Sequence, residues 1–581
     1  MASAYAGPME ALRHLKRLLL LAVLLLMSVG AAWAGPYEDG YAALQRGDYA
    51  VALRLFRSLA TQGDARAINQ LGTMARDGKG GKQDFAAAVK LFRAAAERAY
   101  PEAENNLGLM YRDGRGVARD FVVATRWFRT AAEQRYPDAQ DNLGMMYYVG
   151  AGVGRDYAEA ASWFRLAAAQ GDPAAQYNLG FLYDEGRGVK QDYEEALKWY
   201  RLTAAQGNAA GQYRLGAMYE QGHGVAQNYA EALDWYRRSA AQGNAIAQYK
   251  LGFTYEQGRG VTQDYAEALT WLRLAAAQGN VEAQSELGVM VAAGHGVEPD
   301  YAEAIKWFRL AAAKGLAEAQ SDLGAMYEQG RGVAQDFSEA VKWYRLAAAQ
   351  GLAKAQSDLG FMYQQGRGVE QDDAESVKWF RLAAAQANAE GQNNLGMMYR
   401  DGRGVAHDDA ESVKWFRLAA VQGNAAGQYN LGMMYAAGQG VAQDFSESVK
   451  WFRLAAAQQD AAAQSELGTM YYAGHGVPQD FSESIKWFRL AADQGLAEAQ
   501  NSLGMMYRDG RGVAKDDAES VKWFRLAAAQ GNAAAQYNLG MMYANGQGVA
   551  KNLGEAERLM RLAANQNVQG AAETLTKLQH R

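Results

Sequence analysis

Apolar and small residues recur along this chain of 581 residues with a fixed period. In fourteen successive copies the pair Leu-Gly recurs once every 36 residues, from Leu71 to Leu539, with no insertion or deletion between copies. A fixed period of this length is typical of stacked repeats, in which each unit contacts only its neighbours. The pattern therefore predicts an extended array of repeats and not one compact core.

One copy of the repeat shows the elements it contains. Leu323 and Tyr327 lie four residues apart, which predicts one apolar face of a first helix that ends at Gly330. Asp336 then precedes a second helical period, and Glu339 follows three residues later, which predicts an N-cap with a capping box. Each repeat is therefore predicted to be a helix–loop–helix unit.

The loop between the two predicted helices contains the motif Gly-x-Gly, and both glycines are present in all fourteen copies. A phosphate-binding loop would instead connect a strand to a helix and would end in Lys followed by Ser or Thr. That motif is absent from the sequence. The loop glycines are therefore predicted to end the first helix and to form a tight connection.

The full pattern, A-x-x-x-L-G-x-x-Y-x-x-G-x-G-V-x-x-D-x-x-x-A-x-x-W-[FY]-x-x-A-A, resembles the Sel-1-like repeat, a relative of the tetratricopeptide repeat, over residues 67–569. The resemblance implies an all-α, right-handed α-solenoid, or superhelix, of 14 repeats whose first helices line the concave side. Atypical capping units are expected at both ends. Residues 35–66 resemble a single tetratricopeptide unit, and residues 570–581 are predicted to form a C-terminal capping helix.

Residues 1–34 have the features of a secretory signal peptide. A basic segment ending at Arg17 precedes the apolar run Leu18–Met27, and Ala-Trp-Ala then precedes Gly35. The apolar run is short for a membrane span. We therefore expect cleavage before Gly35, secretion across the inner membrane into the periplasm, and no stable membrane insertion after signal removal. An uncleaved anchor is the alternative.

Composition narrows the possible chemistry. The chain has no Cys, so disulfides and thiolate metal sites are excluded, and its formal net charge of −5 argues against general nucleic-acid binding. Three of the six His, at positions 223, 295 and 475, share one loop position and are predicted to be solvated. The repeated Trp of the second helix is predicted to be core. Neither a metal site, a cofactor nor a catalytic residue is predicted.

Three functions are compatible with these features. The resemblance implies a non-enzymatic scaffold that binds a protein or peptide in the bacterial envelope. It also suggests, as an alternative, a weak β-lactamase-like or peptidoglycan-related hydrolase, but the motifs S-x-x-K, S-D-N and K-T-G are all absent. A passive structural spacer is the third possibility. The partner's identity and the oligomeric state are not determined by the sequence.

Candidate binding residues are those that vary between copies. Positions −2, −1, +2 and +5 relative to the repeat Leu share one face of the first helix, which is predicted to be concave. This face carries aromatic residues that favour partner contact, although neighbouring repeats could also cover them. They are Tyr177, Tyr213 and Tyr249 at −2, and Phe181 and Phe253 at +2.

Polar residues on the same face add two predictions. Asn178 at −1 matches an Asn that often bonds a bound peptide in tetratricopeptide domains, and a solvated side chain is the alternative. Glu286, Asp322 and Asp358 at −1, together with acids at +5, predict an acidic surface for a partner with basic segments. The +5 acids are Asp184, Glu220, Glu256 and Glu328.

Overall fold

The structure, a computed structural model, describes residues 35–579. All regular secondary structure in this range is helical. The chain divides into two compact units, the first ending at Asn280 and the second beginning at Val281. No helix among the described residues is both long and apolar enough to cross a membrane.

The first unit begins with a short helical pair and continues with six repeats. Its helices are α1 Pro36–Gln45, α2 Tyr49–Thr61, α3 Ala65–Asp77, α4 Phe85–Ala96, α5 Pro101–Asp113, α6 Phe121–Glu133, α7 Pro137–Val149, α8 Tyr157–Ala169, α9 Pro173–Glu185, α10 Tyr193–Ala205, α11 Ala209–Gln221, α12 Tyr229–Ala241, α13 Ala245–Gln257 and α14 Tyr265–Ala277.

The second unit contains eight repeats followed by a short last helix. Its helices are α15 Val281–Ala293, α16 Tyr301–Ala313, α17 Ala317–Gln329, α18 Phe337–Ala349, α19 Ala353–Gln365, α20 Asp373–Ala385, α21 Ala389–Asp401, α22 Asp409–Val421, α23 Ala425–Ala437, α24 Phe445–Ala457, α25 Ala461–Ala473, α26 Phe481–Asp493, α27 Ala497–Asp509, α28 Asp517–Ala529, α29 Ala533–Asn545, α30 Leu553–Asn565 and α31 Ala571–Gln579.

From α3 to α30, odd-numbered helices are first helices and even-numbered helices are second helices. Within each unit, every helix pairs with its partner in the repeat, and the repeat packs on the next one. In one core cluster, Val341 and Tyr344 of α18 meet Leu359 and Met362 of α19, and Trp379 of α20 packs against them. The hydrophobic core is therefore shared between neighbouring repeats, and the predicted α-solenoid is confirmed.

The repeat glycine allows the two helices of a repeat to approach closely. A Cβ atom on Gly324 of α17 would lie 2.8 Å from Cδ1 of Tyr344 on α18. The ring of Tyr344 is 1% exposed and cannot move into solvent without opening the core. Any side chain at this position would therefore push α17 and α18 apart.

The glycine loop is a helix terminator and connector, as predicted. Gly330 ends α17 with φ 67° in the left-handed region, and its N–H donates to the carbonyl of Met326. Gly332 has φ 69°, and a Cβ there would lie 2.6 Å from the carbonyl carbon of Tyr301 in the preceding repeat. The loop thus contacts a neighbouring backbone.

The predicted capping box does not form, although the predicted N-cap does. Asp336 accepts bonds from the N–H groups of Ser338 and Glu339 at 2.9 and 3.0 Å. Its own N–H donates to the carbonyl of Tyr327 at 3.0 Å, so it has no donor left for Glu339. The Glu339 carboxylate instead pairs with Lys342 at 2.5 Å. That part of the prediction was wrong.

The described residues include both predicted capping segments, whereas the predicted signal peptide lies outside them. The predicted N-terminal cap corresponds to α1 and α2, and α31 corresponds to the predicted C-terminal cap. Leu578 of α31 packs in a cluster with Met560 of α30. The functional assignment of these end segments stays a prediction.

Candidate functional site

The variable face of the first helices lies between successive repeats. Neighbouring first helices contact each other, for example α5 with α7 and α19 with α21. The space between two successive first helices is here termed a slot. It is lined by positions +2 and +5 of one first helix and by positions −2, −1 and +2 of the next. Apart from Glu286, on the first helix of the second unit, the residues predicted to bind a partner therefore lie in or beside such a slot within one unit.

The slot between α7 and α9 contains a cavity of about 180 Å³. Three of the predicted residues line it together, and the buried ring of the intervening second helix also contributes. The lining residues are Met145, Tyr148, Phe164, Tyr177, Asn178 and Phe181. The cavity is therefore largely aromatic and of a size for one small apolar side chain.

Asn178 bridges two repeats inside this slot. Its Nδ2 donates to Oδ1 of Asp141 on α7 at 2.9 Å, and burial raises the pKa of Asp141 to about 6. The same bond recurs elsewhere, as from Asn430 to Asn393 at 2.9 Å. This asparagine therefore connects neighbouring first helices, which the sequence analysis missed. A partner backbone could bond either the amide oxygen of Asn178, as an acceptor, or its second N–H, as a donor.

The three predicted tyrosines are each half-buried, so neighbouring rings cover one side of every ring. The centroids of Tyr177 and Tyr200 are 6.0 Å apart, and those of Tyr213 and Tyr236 are also 6.0 Å apart. The ring centroids of Tyr249 and Phe253 are 6.1 Å apart. The tyrosines are thus partly covered by neighbouring rings, and contact with a partner through their exposed part stays a prediction.

Arginines flank the two phenylalanines of the aromatic face. The guanidinium of Arg187 lies 5.6 Å from the centroid of Phe181, and that of Arg214 lies 5.2 Å from it. Arg259 lies 5.4 Å from the centroid of Phe253. These cation–π contacts hold both rings in place at the rim of their slots.

Two slots of the first unit contain an internal ion pair. Asp184 of α9 lies 3.9 Å from Arg214 of α11, and Glu220 of α11 lies 3.2 Å from Lys250 of α13. Each acid also accepts a bond from a buried tyrosine of its own repeat, as Glu220 does from Tyr236 at 2.6 Å. The predicted acidic character therefore does not extend to these slots, because a base at −1 neutralises each acid.

The slot between α17 and α19 has the same construction but lacks the base. Tyr344 donates to Glu328 at position +5, at 2.7 Å. Position −1 of α19, which holds Arg or Lys in the two slots above, holds Asp358. Burial raises the pKa of Asp358 to about 7, and the negative charge of Glu390 adds to the effect. Two acids thus face the same slot.

The other predicted acids lie at the equivalent positions of earlier first helices. Asp322 on α17 is partly exposed and pairs with Lys354 at 3.5 Å, while burial raises its pKa. Lys354 also lowers the pKa of Asp358, partly offsetting the effect of burial. Glu286 lies at position −1 of α15 and is partly exposed. Asp322 and Asp358 therefore form part of one acidic surface.

Two of the three loop histidines, which were predicted to be solvated, stack on an aromatic ring of the preceding repeat. The ring of His223 stacks on Tyr193 with centroids 4.2 Å apart, and His475 stacks on Phe445 at 4.6 Å. At the equivalent loop position, the guanidinium of Arg367 lies 5.6 Å from the centroid of Phe337. Arg and His can interchange there because both place a flat group on a ring of the preceding repeat.

Residues 35–579 contain no group of three or more His, Cys, Asp or Glu arranged to hold a metal ion. A sequence model of the Sel1 repeat matches fifteen consecutive segments of 36 residues, from residue 29 to residue 568. The chain belongs to the Sel1 repeat family. The first matching segment, residues 29–64, overlaps the predicted N-terminal cap.

Two solved structures of Sel1 repeat proteins are similar to this chain. One is c5321, a protective antigen present in uropathogenic Escherichia coli strains, with 33% sequence identity and a TM-score of 0.63. The match covers 85% of this chain and 97% of the c5321 chain. The other is a Sel1 repeat protein from Oxalobacter formigenes, with 36% sequence identity and a TM-score of 0.43. The match covers 53% of this chain and 90% of the other chain. Among curated proteins, none matches significantly.

Family membership gives the slots a general functional context. Sel1 repeat scaffolds are generally protein-interaction modules, and the solenoid is typically a non-enzymatic scaffold. In this Sel1 repeat protein, the slots combine side chains that vary between repeats with a repeated framework of Gly, Leu and Trp. Variation on a constant framework is what a binding surface requires.

Proposed function

We propose that this Sel1 repeat protein is a non-enzymatic scaffold of the bacterial envelope that binds a protein segment carrying basic residues. The observation that supports the proposal most directly is the slot between α17 and α19. There, Glu328 and Asp358 face each other at positions where other repeats pair an acid with a base. The basic residue would come from the partner.

The comparison between slots explains why a cation suits this position. In the slot between α11 and α13, Lys250 lies 3.2 Å from Glu220, which in turn accepts the hydroxyl of Tyr236. Glu328 has the same tyrosine contact, so its carboxylate is held in the same way. A partner Lys or Arg at this position would contact Glu328 and Asp358 together, and would favour the ionised form of Asp358.

The aromatic face of the first unit would supply apolar contact. Tyr177, Phe181 and Tyr148 line a cavity of about 180 Å³, and Asn178 lies beside them. Tyr213, Tyr249 and Phe253 present further half-buried rings on the following first helices. Aromatic side chains that keep one face open are common anchors at protein interfaces.

Envelope localisation rests on the N-terminal sequence. A basic segment, an apolar run and Ala-Trp-Ala precede Gly35, which fits a cleaved secretory signal. N-terminal sequencing of the protein purified from the periplasm should therefore find Gly35 as the first residue. Membrane-bound protein that still carries the residues before Gly35 would replace this proposal with an uncleaved anchor.

A crosslinking pull-down tests the scaffold proposal against the two alternatives. The chain without residues 1–34 is incubated with bacterial envelope extract, beside the double variant Tyr213→Ala/Tyr249→Ala. We expect a crosslinked partner that the double variant recovers poorly. Recovery of no partner would favour a passive spacer. Hydrolysis of the β-lactam nitrocefin by the purified chain would favour a hydrolase.

A further inference from the structure

The first repeat, formed by α3 and α4, lacks three large side chains of the repeat framework. Positions +4, +10 and +20 relative to the repeat Leu hold Tyr, Val and Trp in the next repeat, where they pack against the core. Those residues are Tyr111, Val117 and Trp127. The first repeat has Ala75, Gly81 and Leu91 instead, and it is the one copy of the fourteen in which all three differ. The space that these side chains fill in the next repeat is therefore open.

A cavity of about 390 Å³ lies at this place, and all three replaced positions line it. A Cβ atom on Gly81 would meet no atom within 4 Å beyond its chain neighbours, so the missing valine leaves open space. The cavity has about twice the volume of the one between α7 and α9, which is about 180 Å³. It therefore has room for an aromatic side chain. Its apolar walls come from α2, α3 and α4, through Leu53, Leu71, Met74 and Leu91.

Arg57 of α2 also lines the cavity, and the residue opposite it has changed. In the next repeat, the equivalent Arg93 donates to the hydroxyl of Tyr111 at 2.7 Å, and the same bond recurs along both units. Ala75 stands in place of this tyrosine and offers Arg57 no acceptor. An acceptor group on a ligand in the cavity would therefore take the place of the phenol.

The surface around the cavity is basic, although the chain as a whole is acidic. Lys79 and Lys82 line the cavity with Arg57, and none of its lining residues, all of them described by the structure, is acidic. Residues 48–96 contain eight Lys or Arg and four Asp. Three of these Asp cap helices, and Asp77 pairs with the arginine before it at 2.7 Å and lies 3.8 Å from Lys79. The acids are thus engaged within the protein, and the complementary ligand is an anion.

We propose that this cavity binds a segment of a partner protein in which an aromatic side chain lies next to an acidic residue. The ring would occupy the place that side chains of this chain fill in the next repeat, and the carboxylate would pair with Arg57. Lys79 and Lys82 would contact further acidic groups of the segment. The cavity shares no side chain with the slots, so the proposal is independent of the binding proposed there.

Anisotropy titrations of two fluorescein-labelled peptides, Asp-Glu-Trp-Glu-Asp and Asp-Glu-Ala-Glu-Asp, with the full chain test this proposal. We expect the tryptophan peptide to bind at least about tenfold more tightly than the alanine peptide. The variant Ala75→Tyr/Gly81→Val/Leu91→Trp fills the cavity with the side chains of the next repeat. It should weaken binding of the tryptophan peptide about tenfold or more. Circular dichroism checks that this variant remains folded.

Arg57→Gln tests the carboxylate contact without filling the cavity. It should weaken the tryptophan peptide roughly fivefold or more, because the guanidinium charge is lost. The matched control is Arg165→Gln, which changes the equivalent arginine of α8, where Tyr183 accepts its bond at 3.2 Å. This control should stay within about twofold of wild type.

Three results would overturn the proposal. The first is equal binding of the two peptides, which would reduce the contact to charge alone. The second is unchanged binding of the tryptophan peptide by the filled variant. The third is a chain that binds neither peptide but co-floats with phosphatidylglycerol vesicles, with flotation lost in the filled variant, which would make the cavity a lipid site.

Discussion

At the scale of the residue, Asp358 differs from its counterparts by one substitution that changes the chemistry of a slot. Arg214 and Lys250 occupy the equivalent position in two other repeats and neutralise the acid that faces them. Asp358 instead adds a second carboxyl, and burial raises its pKa to about 7. The repeat framework is unchanged, and under the proposed function this one residue makes the slot a site for a cation of the partner.

This raised pKa predicts how Asp358 affects stability. The folded protein holds a proton on Asp358 up to about pH 7, whereas the unfolded chain releases it near pH 4. The stabilisation that this proton gives is therefore present at low pH and is lost as the pH rises through 7. The Asp358→Asn variant should unfold at a higher temperature than wild type at about pH 8, but not at about pH 5.

Thermal melts of both proteins at the two pH values measure this difference, and titration of the other groups cancels in the comparison. A difference between wild type and variant that is the same at both pH values would contradict the assignment of the raised pKa to Asp358.

Some residue roles followed from the sequence and others depended on contacts that it does not contain. Asp336 was predictable as an N-cap because that bond is made within three residues. Asn178 and His223 were not, because their partners, Asp141 and Tyr193, lie 37 and 30 residues away. The neutralisation of Glu220 by Lys250 was likewise hidden, although both positions were noted as variable.

At the scale of the element, the helix pair depends on a glycine that no side chain can replace. The Cβ of Gly324→Val would lie 2.8 Å from the buried ring of Tyr344, and valine adds two further methyl groups. Overpacking of this kind costs about 1–3 kcal/mol, and more where the backbone must shift. Urea denaturation of Gly324→Val should therefore show a free energy of unfolding that is lower than wild type by at least this amount.

Gln329→Val is the control, because Gln329 is exposed near the end of the same helix. The free energy of unfolding should fall by less than about 1 kcal/mol in Gln329→Val, which is the range over which residues differ in helix propensity. Equal losses for the two variants would show that α17 responds to valine in general and not to contact with Tyr344.

The helix pairs were the most predictable feature of the fold. Apolar spacing, the Asp N-cap and the loop glycine all indicated the same boundaries, and α17 ends at the residue before Gly330 as expected.

At the scale of the whole molecule, a solenoid couples each repeat mainly to its neighbours, so damage should remain local. In Gly324→Val, native-state hydrogen exchange should lose protection in α17 and α18 and in the repeats beside them. Helices α3 to α8, many repeats away in sequence, should keep the protection that they have in wild type. Uniform loss of protection in all helices would contradict nearest-neighbour coupling.

The acidic slot between α17 and α19 is the central claim, and one titration tests it most directly. A fluorescent peptide of alternating Lys and Ala is titrated with the chain at low and at moderate salt, and its anisotropy is followed. The variant Glu328→Gln/Asp358→Asn is compared with Glu339→Gln/Glu375→Gln, which removes two charges from the second helices of the same repeats.

We expect the slot variant to weaken peptide binding roughly tenfold or more at low salt, and the second-helix variant to stay within about twofold of wild type. Added salt should weaken binding to wild type more than to the slot variant. Equal binding by wild type and the slot variant, or an equal loss in both variants, would contradict recognition of a basic segment by Glu328 and Asp358.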